Sequence, residues 1–128
     1  MKMKWISTIK EIGTSAISEK DRTVILFGQT ANDELRKVSV IQEFDDEEAA
    51  QGIVLKKGDT ITIDGQTLII SAVGSMAISN LRALGHVSLF FADKLPKKPM
   101  SNAVYLELDG KDPVPTFRID DEIVYEHL

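Results

Sequence analysis

His86 is the side chain best suited to chemistry in this chain of 128 residues. The sequence has two histidines, and the other, His127, is the penultimate residue and is expected to be mobile. Because an imidazole is partly neutral near pH 7, His86 could act as a general base or accept a phosphoryl group. It could equally cap carbonyls at a helix end or fill space there. Arg82, one helical turn earlier, could contact a phosphate or could simply be a solvated surface charge.

Other kinds of catalytic or metal-binding site have little support in the sequence. The chain has no cysteine, which excludes disulfides, thiolate nucleophiles and zinc–sulfur sites. Its glycines are isolated, so no loop is built to cradle a phosphate, and no serine lies in a nucleophile-elbow pattern. The acidic run 45–48 is expected to be a solvated loop or helix start; a metal site there is the alternative, although neighbouring side chains do not converge on one point. We therefore predict neither a cofactor nor a metal.

One helix of about three turns is predicted to position His86. Apolar residues recur at helical spacing between residues 77 and 84, which places an apolar stripe on one face. Ser75 is the expected N-cap, and Gly85 can adopt the left-handed conformation that ends a helix. We therefore expect a helix over residues 75–84, after which His86 opens an apolar strand.

The rest of the chain has the pattern of short, half-buried strands. Strands are expected at 4–12, 23–27, 38–44, 60–63, 67–71, 86–91 and 103–108, with weaker ones at 116–119 and 122–125. Asp64-Gly65 is a pair typical of tight hairpin turns. Gln42 is a polar residue on an otherwise apolar strand face, and no internal repeat is apparent. About eight strands with one helix predict an all-β fold, a compact barrel or sandwich.

Bulk properties indicate a single domain over residues 1–128. Apolar residues make up 43% of the chain and charged residues 27%, an ordinary globular balance. The net charge of −5 argues against a nucleic-acid partner. No apolar run reaches the roughly 18 residues that a membrane span needs, and the N-terminal residues lack the core of a signal peptide. The expected location is therefore the cytoplasm, and the oligomeric state is left open.

Three short segments resemble the glucitol/sorbitol-specific IIA component of the phosphoenolpyruvate-dependent sugar phosphotransferase system. They are Ala72-Val73-Gly74-Ser75, Asn80-Leu81-Arg82 and Leu84-Gly85-His86-Val87. The opening Thr8-Ile9-Lys10-Glu11-Ile12-Gly13, followed by Ser15-Ala16, is also similar to the family's first strand and turn. The resemblance covers most of the chain, with residues 74–87 as its most specific block. It implies a single, mostly β, IIA-like domain.

The resemblance implies a small cytoplasmic phosphocarrier. In the family, a histidine accepts a phosphoryl group from the phosphocarrier protein HPr and passes it to a IIB domain, which supports hexitol uptake by a IIB/IIC transporter. That acceptor histidine aligns here with Gln42, whose amide nitrogen is not nucleophilic. His86 matches a histidine of the family motif and is the candidate acceptor, or a partner of the acceptor, with Arg82 as a candidate phosphate contact.

Two further interpretations stay open. The chain could be a IIA-like regulatory or binding domain that has lost phosphotransfer, so that no phosphohistidine intermediate forms. It could also be an unrelated β-barrel that binds a small ligand. One Trp, two Tyr and five Phe residues supply few aromatic rings for stacking on a sugar.

Overall fold

Eight strands close into a barrel in the computed structural model, which describes residues 2–18 and 20–128. The strands are β1 (Met3–Ile12), β2 (Thr23–Phe27), β3 (Val40–Phe44), β4 (Thr60–Ile63), β5 (Gln66–Val73), β6 (Val87–Ala92), β7 (Ala103–Glu107) and β8 (Glu122–His127). Three short helices join them: α1 (Asp33–Lys37), α2 (Glu47–Ala50) and α3 (Ala77–Leu84). The predicted all-β fold of about eight strands is confirmed and is a barrel rather than a sandwich, with three short helices where one was expected.

The strands follow one another around the barrel in the order β1-β3-β2-β6-β7-β5-β4-β8, and β8 pairs back with β1. The β2–β3 and β6–β7 pairs are parallel, and all other pairs are antiparallel. Alternate side chains point into the barrel, where residues such as Ile9, Leu26 and Ile70 are fully buried. This apolar interior is the core of the molecule.

The helix expected over residues 75–84 begins later, at Ala77, and ends at Leu84 as predicted. Its N-cap is Met76 rather than Ser75, and no side chain caps it. The backbone of the preceding turn is already bonded, because the Met76 N–H donates to the Ser101 carbonyl at 2.8 Å. Gly85 adopts the expected left-handed conformation, with φ 64°.

Three other local expectations had mixed outcomes. Residues 116–119 form no strand, although Phe117 is buried. The acidic run contains the N-cap and first turn of α2, as one of its two interpretations predicted. His127 was expected to be mobile but lies in β8, where it pairs with Met3 of β1.

The two halves of the barrel repeat each other, which contradicts the expectation of no internal repeat. Strands β1, β2, β3 and β4 correspond in order to β5, β6, β7 and β8. Exchanging each strand with its counterpart leaves every strand with the same neighbours, paired parallel or antiparallel as before. The β1–β3 ladder has an irregularity after the pair Ile9–Gln42, and the β5–β7 ladder has one after the pair Ile70–Leu106. The barrel therefore has a pseudo-two-fold axis.

The repeat is also visible in one stretch of sequence. Gly13-Thr14-Ser15-Ala16-Ile17-Ser18 and Gly74-Ser75-Met76-Ala77-Ile78-Ser79 are identical at four of six positions. The two stretches follow β1 and β5, which are equivalent strands. The Gly13 N–H donates to the Ser39 carbonyl just before β3 at 2.9 Å, and the Gly74 N–H donates to the equivalent Ala103 carbonyl at the start of β7 at 2.7 Å. The sequence match therefore lies at equivalent places in the two halves of the barrel.

A buried carboxylate ties the end of β8 to the turn before β4. Asp59 is 3% exposed and accepts hydrogen bonds from the Lys56 N–H at 2.7 Å, the Leu128 N–H at 3.0 Å and His127 Nδ1 at 2.6 Å. Burial alone would raise its pKa, but these bonds outweigh burial and leave the pKa below the ordinary value. The ionised form is therefore favoured by folding.

We expect Asp59→Asn to lower the free energy of unfolding at pH 7 by about 1–3 kcal/mol, because an amide replaces a charged acceptor. The lowered pKa means that this contribution is complete above the unfolded pKa of about 3.9 and is lost as pH falls through the folded value. Urea unfolding at pH 7 and pH 3 should show the difference shrinking in acid. Glu34→Gln, at an exposed position, is the control; an equal loss at both pH values would contradict the prediction.

Candidate functional site

A cleft of about 230 Å³ opens where β3 meets the C-terminal end of α3. Its lining includes Gln42, Glu43 and Glu47, contributed by β3 and α2. Arg82 and Gly85, from α3 and its C-cap, also line it. Since a water molecule in the liquid occupies about 30 Å³, the cleft has room for a small polar group.

Gln42 contributes a hydrogen-bonded amide to this cleft. Its side chain is almost fully buried, and Oε1 accepts from Ser7 Oγ at 2.7 Å and from the Tyr125 hydroxyl at 2.6 Å. Its Nε2 donates to the Gly85 carbonyl at 3.0 Å. Because a carbonyl can only accept, the NH₂ group must be the end that faces α3. The amide is thus held at both ends by groups from three separate elements.

Tyr125 remains a hydroxyl donor in this cluster. Burial raises its pKa well above the ordinary value, and its hydrogen bonds with Gln42 and Ser7 offset only part of the rise. The phenol therefore stays protonated across the physiological pH range. The cluster of Ser7, Gln42 and Tyr125 is consequently neutral.

Two glycines allow α3 to end directly against β2. The Gly28 N–H donates to the Leu84 carbonyl at 2.8 Å, and a Cβ on Gly28 would lie 2.5 Å from that oxygen. Gly85 adopts a positive φ that other residues rarely tolerate. This close approach directs the Gly85 carbonyl at Gln42.

The charges around the cleft are mixed. Arg82 is exposed, and its Nε donates to the Ile53 carbonyl at 2.9 Å. Within residues 2–18 and 20–128, its guanidinium forms no ion pair. Glu43 and Glu47 add two carboxylates to the lining of the same cleft. A phosphoryl dianion in the cleft would therefore meet one favourable and two unfavourable charges.

His86 does not line the cleft. Its ring stacks on Phe27, with the ring centroids 4.4 Å apart, and its Nδ1 lies 3.0 Å from the Leu26 carbonyl. Nδ1 must carry the proton in this contact, so the neutral ring has its lone pair on Nε2. The residue is half-buried. Of the three predicted site residues, the structure brings Gln42 and Arg82 to one cleft and leaves His86 beside it, joined through the peptide that follows Gly85.

The comparisons with known proteins agree with this architecture. The family model for the PTS system glucitol/sorbitol-specific IIA component matches residues 4–124. The chain belongs to this family. The crystal structure of the PTS system IIA component from Enterococcus faecalis V583 is similar, with a TM-score of 0.83 and 35% sequence identity over 94% of this chain and 98% of that one. A comparison with curated proteins found no match.

This IIA component is therefore part of the phosphotransferase system, and its partners are other components of that system. In the part of the chain that the structure describes, no helix is long and apolar enough to cross a membrane. Among the same residues, no group of three or more His, Asp or Glu side chains could hold a metal ion.

Sequence reasoning missed Ser7 and Tyr125 as members of the site. Ser7 lies in β1 between Trp5 and Ile9 on an inward-facing side, and it is fully buried. A small polar residue between two core residues was the available signal, the same kind that singled out Gln42. Nothing in the sequence of β8 distinguishes Tyr125 from an ordinary core aromatic.

Proposed function

We propose that this IIA component binds other components of the phosphotransferase system without carrying the phosphoryl group itself. The observation that carries the proposal is Gln42. The family resemblance gives this position to the acceptor histidine, and here it holds an amide whose oxygen and nitrogen are both hydrogen-bonded. An amide nitrogen has no available lone pair, so it cannot attack phosphorus.

The charges of the cleft support the same function. Phosphoryl transfer depends on positive groups placed around the transferred phosphate. Here Glu43 and Glu47 line the cleft together with Arg82. The acidic run continues through exposed residues 45–48 beside it. Such a surface suits an uncharged or cationic group of a partner better than a phosphate.

The partners in this proposal are cytoplasmic HPr and the IIB/IIC transporter, on the basis of the family resemblance. Gln42 would then imitate an unphosphorylated acceptor, because its Nε2 presents an N–H as a neutral imidazole does. The IIA component would remain permanently in a form that resembles the unphosphorylated state. Its role would be to occupy or regulate partners rather than to pass on phosphate.

A phosphocarrier that uses His86 is the second candidate. The hydrogen bond of Nδ1 to the Leu26 carbonyl favours it, because this bond leaves the Nε2 lone pair free for attack. The stacking on Phe27 and the position outside the cleft weigh against it. The two candidates differ in one measurable property, which is whether the native chain becomes phosphorylated.

Incubation with phosphoenolpyruvate, enzyme I and HPr should leave the native chain without an acid-labile phosphoryl group. Gln42→His restores a nucleophile at the cleft and is expected to gain one equivalent, measured as an increase in intact mass that acid removes. His86→Ala in the native chain is the matched control. Labelling of the native chain that disappears in His86→Ala would replace this proposal with the second candidate.

Partner binding can be followed in the same protein through Trp5, the only tryptophan. Its indole donates to the Ala49 carbonyl of α2 at 3.1 Å, so it reports on the helix that borders the cleft. We expect its fluorescence to change on titration with HPr or IIB. Absence of binding to either would contradict the proposal, even if the native chain is not phosphorylated.

A further inference from the structure

We propose that Ser7 and Tyr125 are positioning residues, which orient the side chain at position 42 toward the cleft. The proposal rests on the proposed identity of position 42 as the family's acceptor position. Neither residue would touch a phosphoryl group; both act through residue 42. The evidence is the pseudo-two-fold repeat of the barrel, which provides an internal comparison for each position of the cluster.

The repeat assigns an equivalent to every member of the cluster. Ser7 faces Ile123 across the β1–β8 ladder as Leu68 faces Ile61 across the β5–β4 ladder. In the same way, the Ile9–Gln42 pair corresponds to the Ile70–Leu106 pair. The β4–β8 ladder contains both Ile61–Tyr125 and Ile63–Ile123. The equivalents of Ser7, Gln42 and Tyr125 are therefore Leu68, Leu106 and Ile63.

The same three places are thus polar in one of the two equivalent clusters and apolar in the other. Leu68, Leu106 and Ile63 are buried core residues. Leucine and isoleucine fill these places in the equivalent cluster, so the barrel can form without two hydroxyls and an amide there. Burying polar groups costs free energy that their hydrogen bonds recover only in part. A role at the cleft accounts for their presence, whereas a purely structural role does not.

The neighbouring backbone shows the same contrast. The parallel pairs Leu26–Val40 and Leu89–Val104 are equivalent, so Gly28 corresponds to Phe91. Gly28 borders the cleft, whereas Phe91 is 1% exposed and packs against another aromatic ring. At this one position the barrel therefore has a glycine beside the cleft and a buried phenylalanine side chain at the equivalent place.

The geometry indicates how the two hydroxyls act. Both contact the inner end of the residue 42 side chain, and this leaves its outer end toward Gly85 and the cleft. A hydroxyl can accept as well as donate. With an imidazole at position 42, the hydroxyls can accept the N–H of the inner nitrogen, which leaves the lone pair on the outer one. Ser7 and Tyr125 would thus set the orientation and the tautomer of an acceptor.

The test uses Gln42→His treated with phosphoramidate, which phosphorylates imidazoles without a protein partner. A bond forms between a ring nitrogen and phosphorus, the P–N bond of the reagent breaks, and ammonia leaves. The rate at position 42 is followed by peptide mass, which separates it from His86 and His127. Adding Ser7→Ala or Tyr125→Phe should slow labelling by about tenfold or more through loss of orientation. Ser7→Thr, which keeps the hydroxyl, should restore the rate.

Ile63→Val, at the equivalent of position 125, is the matched control. It removes one core methylene group from the equivalent apolar cluster and should leave the rate within about twofold, although it also destabilises the fold. Equal rates with and without the hydroxyls, or no labelling at position 42, would overturn the inference. The proposed function fails by a different result, which is phosphorylation of the native chain by HPr.

Discussion

Replacement of Gln42 by leucine is expected to lower the free energy of unfolding by about 2–4 kcal/mol. Leucine fits the equivalent position of the other half of the barrel, so the loss does not come from its size. It comes from three polar groups that each lose a hydrogen bond to Gln42: the buried Ser7 and Tyr125 hydroxyls and the half-buried Gly85 carbonyl. Urea unfolding followed by Trp5 fluorescence measures the change, and an unaltered denaturant slope would show that the transition stays two-state.

Two variants separate lost hydrogen bonds from lost packing. Adding Ser7→Ala and Tyr125→Phe to Gln42→Leu removes the two hydroxyls that have lost the Gln42 acceptor and should recover part of the stability. The reciprocal change, Leu106→Gln, buries an amide among apolar neighbours and should cost at least as much as Gln42→Leu. A Gln42→Leu protein as stable as the native chain would show that the polar cluster contributes nothing to the fold.

The features of the fold that depend on neighbouring residues could be predicted from the sequence. β2 has the predicted bounds, and the Asp64-Gly65 turn has the two positive φ angles that a primed hairpin turn requires. The end of α3 was predictable because Gly85 readily adopts the left-handed conformation that closes a helix. Each of these features is decided by a few adjacent side chains and their backbone preferences.

The repeat and the closure of the barrel could not be predicted in this way. Strands that are adjacent in the barrel are often distant in sequence, and β2 lies between β3 and β6. The two halves share clear identity only after β1 and β5, where glycine and alanine are fixed by close packing. Elsewhere the fold requires only an apolar residue of suitable size, so many substitutions erase the similarity while the pairing survives.

The candidate site was predictable in part. A polar residue on an apolar strand face identified Gln42, and helical spacing placed Arg82 near the end of α3. The two hydroxyl partners of Gln42 lie 35 and 83 residues away along the chain, so only the closed barrel brings them together. The interpretation of His86 as an acceptor depended on its distance from the cleft, which is set by the packing of β2 against α3 and not by local sequence.

Gly74→Ala is expected to be among the most destabilising single substitutions, with a loss of about 3 kcal/mol or more. A Cβ at this position would lie 2.3 Å from the carbonyl oxygens of both Met100 and Ser101. These atoms belong to the backbone, which cannot move aside as a flexible side chain can. The displaced segments lead into α3 and β7, so the clash disturbs the helix that borders the cleft and the strand equivalent to β3.

The repeat supplies both a second test and a control. Gly13 is the equivalent of Gly74, and a Cβ there would lie 2.1 Å from the Arg36 carbonyl oxygen, so Gly13→Ala should cost a similar amount. At Gly52 the nearest atom to an added Cβ is 3.6 Å away, and Gly52→Ala should change stability by less than about 1 kcal/mol. Chemical denaturation of the three variants measures the effects. If Gly13→Ala and Gly74→Ala differed greatly, the two halves would not be held together by equivalent contacts, and the internal comparison that assigns Ser7 and Tyr125 to the site would lose its basis.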